Sequence, residues 1–209
     1  MENFDKKAHW ENIYTSKSLN EVSWYQPNPE TSLNFIHEFN VPKKAKIIDV
    51  GGGDSFLVDH LLMEGYTDIT VLDISAAALE RAKLRLGKKA QLVKWIVADA
   101  SKFTPTEHYD FWHDRAAFHF LNSDSEIDAY LNSVQNGLSK NGILVMGTFS
   151  ENGPEKCSGI KIKQYSENSM VERLTHFFNK IKCISIDHIT PFNTIQNFIF
   201  CSFKLKVGN

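Results

Sequence analysis

An α/β fold with a parallel sheet covered on both faces is predicted from three observations. Strand-like and helix-like segments alternate from residue 45 to residue 149, which implies right-handed crossovers between parallel strands. The first of those strands runs into a glycine cluster and then a helical pattern, "KIIDVGGGDSFLVDHLL" over residues 46–62. That order sets a ligand site at the carboxyl edge of such a sheet. The tail breaks the alternation, with "KIKCISIDHI" and "IQNFIFCSFKLK" joined by "TPFNT". A connection that short makes a hairpin, so one of the two strands runs antiparallel.

The elements follow in chain order. Residues 5–14 set Trp10, Ile13 and Tyr14 on one helical face, and residues 29–39 do the same with Leu33, Ile36 and Phe39. Between them "TSKSLNEVSWYQPNP" reads as a loop closed by two prolines. "AKIIDV" is a buried strand, and Leu57, Val58, Leu61 and Leu62 form the apolar face of a helix that ends near Gly65. "DITVLDI" is the second strand; a helix from Ser75 follows, with Leu79, Ala82 and Leu86 on one face and Gly87 as its stop. "QLVKWIVAD" and "YDFWHD" are the third and fourth strands. Ile127, Tyr130, Leu131, Val134 and Leu138 mark a helix opened by a capping box of Ser123 and Glu126. "GILVMGTF" is the fifth strand, and a helix near 166–178 precedes the hairpin. No repeat, biased tract or linker divides the 209 residues, so one domain over 1–209 is expected.

Composition narrows the function. A net charge of −2 with interspersed signs lacks the basic face that nucleic acid demands, so no nucleic-acid partner is expected. No apolar run reaches the length of a membrane span, and "MENFDKKAHW" has no signal core; a soluble, cytoplasmic chain with no obligate partner is expected. Cys157, Cys183 and Cys201 are odd in number and widely spaced. Reduced thiols are expected, with neither a disulfide framework nor a metal site.

Glycines after a strand let backbone approach a ligand, and the residues around them select which one. No Gly-Lys-Ser/Thr is present, and a GxGxxG register would put Phe56 where the third glycine belongs. A nicotinamide cofactor is therefore the runner-up. Asp73 ends the second strand and Asp99 the third, on the same edge as Asp49 and Gly51. Carboxylates accept from ribose hydroxyls and amines, so the set suits a ligand with hydroxyls and amines but no phosphate.

S-adenosyl-L-methionine is such a ligand, and the sequence resembles the class I S-adenosylmethionine-dependent methyltransferases over nearly its whole length. Asp49-Val50-Gly51-Gly52-Gly53 is similar to their glycine motif, Asp73 with Ile74 to their ribose acid, and Asp99-Ala100 to their adenine-edge position. The family commonly has a third glycine where this chain has Ser55. The resemblance implies a Rossmann-like sheet of seven strands, mostly parallel, whose last strand is antiparallel and inserted between the fifth and sixth. A catalytically silent S-adenosylmethionine binder and a nicotinamide oxidoreductase are the alternatives.

Methyl transfer needs alignment and an unprotonated acceptor, which directs attention to "FWHDRAAFHF" at the fourth strand's edge. His113 and His119 are candidate bases, with core packing as the alternative; Asp114 is a candidate for holding the acceptor or the cofactor's ammonium. Arg115 is expected to pair with Asp114 or another carboxylate. Trp24 and Tyr25, read as an exposed aromatic pair, are a candidate lid over cofactor and acceptor, and residues 1–40 a candidate cap. Cys157 sits in a long loop on the ligand edge, as substrate contact or filling. The Trp-Tyr loop is similar to that of elongation-factor-modifying protein-lysine methyltransferases, and "DFWHDRAAF" to the fourth-strand segment of thiopurine and tellurite-type enzymes. A small-molecule and a protein acceptor both stay open.

Overall fold

The computed structural model describes residues 4–206. Five strands arise as the alternation requires: β1 (Lys46–Val50), β2 (Asp68–Asp73), β3 (Val93–Val97), β4 (Tyr109–Arg115) and β5 (Leu138–Phe149). A two-residue pair, β6 (Lys156–Cys157) and β7 (Ile160–Lys161), interrupts the loop after β5, and the tail hairpin is β8 (Phe178–Ile189) and β9 (Ile195–Leu205). The main sheet has seven strands in the order β3-β2-β1-β4-β5-β9-β8. β1 to β5 pair in parallel, whereas β9 is antiparallel to both β5 and β8. The last strand thus lies between the fifth and the next-to-last, as the family resemblance implies.

Among the described residues six α-helices cover the faces: α1 (Lys6–Ser16), α2 (Glu30–Glu38), α3 (Leu57–Met63), α4 (Ala76–Leu86), α5 (Asp124–Gly137) and α6 (Glu167–Leu174). Side chains alternate along a strand, so Ile47 and Phe111 face α2 and α3 while Ile48 and Trp112 face α5 and α6. Local signals set the helix ends. The Ser75 hydroxyl accepts from Ala78 N, Gly87 closes α4 at φ 56°, and Ser123 and Glu126 form the reciprocal box that opens α5. None of the described helices is long and apolar enough to cross a membrane.

Three differences from the sequence reading have physical causes. Leu138 does not extend α5 but opens β5, because it pairs with Tyr109; the register then shifts, with the extra residues on β5, before Phe111 pairs with Ile143. The sixth helix stops at Leu174, since Phe178 already pairs with Leu205. The expectation of three reduced thiols is corrected: Cys183 and Cys201 form a disulfide, and Cys157 alone is free. Their 18-residue separation hides that the hairpin sets them directly opposite each other.

Candidate functional site

A cleft opens at the carboxyl edge of the sheet, bordered by the ends of β1, β2 and β4, the loop before α2, and α1. Its floor is the glycine turn. Gly51 adopts φ +68°, and a side-chain carbon added there would stand 2.6 Å from Ala117 Cβ; only glycine fits both demands. Gly53, at φ +45°, faces Tyr14 Oη and Asp73 Oδ2, which such a carbon would approach to 2.9 and 3.0 Å. Gly52 packs on the Asp49 carboxylate, with 2.7 Å between Oδ2 and the same notional carbon. Ser55, where a third glycine is common, accepts from Leu57 N at 3.1 Å through its hydroxyl and so steadies the entry to α3.

The acids at the strand ends differ in burial. Asp73 is 5% exposed and accepts from Ser75 N at 2.8 Å. Burial pushes its carboxyl up to about 7; N–H donation from Ser75 and Gly53 opposes this, while the charges of Asp54 and Asp49 add to it. Asp99 accepts from Ser101 N at 3.0 Å and Ser101 Oγ at 2.8 Å. Ile74, Asp99 and Ala100 all border the cleft. Asp49 accepts at 2.7 Å from His113 Nδ1, and His113 Nε2 accepts from the Ser32 hydroxyl at 2.9 Å. This Ser32–His113–Asp49 chain is buried and ties α2 to β4 and β1, and all three residues border the cleft.

Two expected catalytic residues lie elsewhere. Asp114 is fully buried, with Oδ1 accepting from Ala117 N and Phe118 N at 3.0 and 3.1 Å and Oδ2 from the Tyr130 hydroxyl at 2.7 Å. Burial raises its carboxyl to about 6 against those bonds. The alternation along β4 explains the placement, because the residue next to His113 must point to the opposite face, toward α5. His119 is fully buried as well; its Nδ1 accepts from Phe149 N at 3.2 Å, and burial, helped by the Arg115 charge, drops it to about 3. Neither residue borders the cleft.

The aromatic pair is also not as expected. Trp24 is half-buried, edge-on to Trp10 at 5.7 Å and Tyr14 at 6.1 Å, because α1 folds across the loop. Trp24 and Tyr25 both line the cleft. Arg115 pairs with no carboxylate among the described residues: Nη1 donates to Trp24 O at 3.2 Å, Nη2 is buried without a partner, and the guanidinium lies 5.0 Å from the Phe198 ring centre. Cys157 borders the cleft as a buried thiol whose ionisation burial pushes up to about 11.

Sequence reasoning missed what holds α1 down. Glu11 accepts from Ala76 N at 2.7 Å through Oε1, and from Ala77 N and Ser75 Oγ at 3.0 Å through Oε2. It thereby satisfies orphan donors at the N-terminus of α4. Burial would raise its carboxyl, but the bonds from Ala77, Ala76 and Ser75 prevail and lower it. Arg81 of α4 returns the contact by donating to Tyr14 O and Lys17 O at 3.0 and 2.7 Å. No local pattern signals a carboxylate on one helix capping another 64 residues away.

The strand order, the glycine turn and the acidic edge define the fold of class I S-adenosylmethionine-dependent methyltransferases. Residues 48–144 match the family model described as "Methyltransferase domain". An N-methyltransferase NodS from Bradyrhizobium japonicum, in complex with S-adenosyl-L-homocysteine, superposes with a TM-score of 0.73 at 13% identity, covering 97% of this chain and 100% of its own. A malonyl-[acyl-carrier protein] O-methyltransferase of Anoxybacillus flavithermus is 30% identical over 107 residues, 50% of this chain and 39% of the relative. The mouse eEF1A lysine and N-terminal methyltransferase is 26% identical over 99 residues, 47% of this chain and 14% of the relative. The chain therefore spans at most about two-fifths of the length of these two curated relatives. The matched segment is thus a methyltransferase domain, and the chain shares its fold with solved S-adenosylmethionine-dependent methyltransferases. The nicotinamide alternative is not favoured.

Proposed function

We propose that the chain transfers a methyl group from S-adenosylmethionine to a small-molecule or protein acceptor held in this cleft. The observation that carries the reading is the buried carboxylate of Asp73 beside the Gly53 turn, with cleft-lining aromatic side chains of Trp10, Tyr14 and Trp24 nearby. Asp73 has acceptor capacity left for ribose hydroxyls. The aromatic faces attract a sulfonium cation, and Asp99, Ile74 and Ala100 border the space for a base. The residues present thus fit the cofactor.

Bound there, S-adenosylmethionine supplies an electrophilic methyl, so the remaining work is alignment and removal of the acceptor's proton. His113 is the residue we assign to that proton. With Nδ1–H engaged by Asp49, its Nε2 lone pair faces Ser32, and a proton reaching the Ser32 oxygen passes on to Nε2. Asp114 and His119 hold the turn after β4 and the end of β5 instead of touching an acceptor. Residues 4–40 form a cap, clamped by Glu11 and Arg81, that excludes water from the displacement.

Incubating the protein with methyl-labelled S-adenosylmethionine and a cell lysate, then separating products by size, tests the reading. Label is expected in one size class, and that class tells protein from metabolite. Tight S-adenosylhomocysteine binding with no label transferred to any fraction makes the chain a silent binder and refutes the proposal.

A further inference from the structure

Arg115 presents a problem that the methyl transfer described above does not use. Its Nη2 is buried and has no partner, Nη1 has only the carbonyl of Trp24, and no carboxylate pairs with it among the described residues. A guanidinium with one nitrogen buried and no anion beside it is costly, because the desolvation of that part of the charge is not offset. Folds hold such a group where a ligand supplies the missing partner. A second orphan lies in the same cleft: Gln196 Oε1 is also buried without a donor.

Position separates this cation from the cofactor's acids. Asp73 ends β2 and Asp99 follows β3, whereas Arg115 registers with Gly147 of β5 and rests on Phe198 of β9, on the far side of β1. The walls there are Phe149, Phe198, Phe120 and the Trp24–Tyr25 loop. We propose that Arg115 is the anchor for a carboxylate on the methyl acceptor, and that the acceptor is a small monoanionic carboxylic acid with a flat apolar body. One unpaired positive charge matches one carboxylate. A phosphate dianion would bring surplus negative charge into a cleft that already holds Asp49 and Asp73. The planar guanidinium fork suits a planar carboxylate, and the aromatic walls suit an unsaturated or ring-bearing body. Gln196 Oε1 is left to take a hydroxyl or amine hydrogen of the same molecule.

The inference rests on the methyltransferase reading of the cleft, and benzoate and benzamide, equal in shape and different in charge, test it separately. Each is titrated calorimetrically into the full chain, with and without saturating S-adenosylhomocysteine. Benzoate is expected to bind at least about tenfold more tightly than benzamide, the range of a charge-assisted hydrogen bond. Arg115→Gln should abolish that preference while leaving S-adenosylhomocysteine affinity within about twofold, and Arg115→Lys, which keeps the charge, should retain part of it. A wild-type protein that does not distinguish the two probes overturns the proposal, as does a preference that Arg115→Gln retains. A tenfold loss of S-adenosylhomocysteine affinity in Arg115→Gln with the benzoate preference intact would assign the arginine to the cofactor's own carboxylate. Failure of S-adenosylhomocysteine to bind the wild type sinks the methyltransferase reading alone, because the titrations without it still decide the role of Arg115.

Discussion

Along the carboxyl edge of the sheet, the β1, β2 and β3 ends deliver Asp49, Asp73 and Asp99, whereas β4 delivers Arg115. Two of the acids on the first half are met by hydrogen bonds of their own neighbourhood, Asp73 from Ser75 and Asp99 from Ser101, each two residues on, whereas Asp49 is met by His113 of β4. The cation on the second half is met only by a carbonyl 91 residues away and by an aromatic face from β9. One half is pre-organised by short-range bonds and the other is assembled from distant segments. Cofactor affinity should therefore survive damage to the acceptor half, and turnover should not.

The glycine turn offers the harshest test of the first half. Gly51→Val must carry a branched side chain at φ +68° against Ala117, a strain of about 1–3 kcal/mol before any clash is counted. Calorimetry should find S-adenosylhomocysteine binding lost by more than about hundredfold. Ordinary affinity in this variant would mean that the turn does not form the cofactor floor.

On the second half, His113→Gln should lower turnover by about a hundredfold, the contribution of a positioned base, with S-adenosylhomocysteine affinity changed only a few-fold. If the rate matches the wild type, His113 only braces α2 through Ser32.

A smaller effect is expected where α1 meets α4. Glu11→Gln keeps the shape but gives up the charged acceptor at the helix terminus, worth about 0.5–1 kcal/mol. Urea unfolding should register a loss of that size, accompanied by a few-fold weaker cofactor affinity. Lower stability with unchanged affinity would make α1 plain core cover and not a cap over the site.

How much of this was legible follows the same division. Ser75, Gly87 and the Ser123–Glu126 box announce helix ends because each acts within a turn of its own position. The acids after β2 and β3 are legible for the same reason. The period of two along β4 carried a signal that the cluster of charges obscured: only one of His113 and Asp114 can face the cleft, and the other must pack under α5. Nothing local reveals the Cys183–Cys201 pairing, which depends on the register of a hairpin, or the lack of a partner for Arg115 Nη2 among the described residues, which depends on every segment that packs around it. Trp24 looked exposed because its loop is polar, and it is covered by a helix anchored through Glu11.

The central claim is that Asp73 receives the ribose of S-adenosylmethionine, and its titration makes the claim measurable. Burial, reinforced by the charges of Asp54 and Asp49, holds the carboxyl at about 7, and the ionised form accepts hydroxyl donors better than the protonated one. Cofactor binding should then release a proton, and affinity should rise as pH increases through 7 and level off above it. Calorimetric titration with S-adenosylhomocysteine at pH 6 and pH 8 is predicted to show about a tenfold gain in wild type. Asp73→Asn should bind more weakly at both pH values and show no such gain. A wild-type affinity independent of pH, together with an unchanged affinity in Asp73→Asn, would remove Asp73 from the cofactor site and contradict the account.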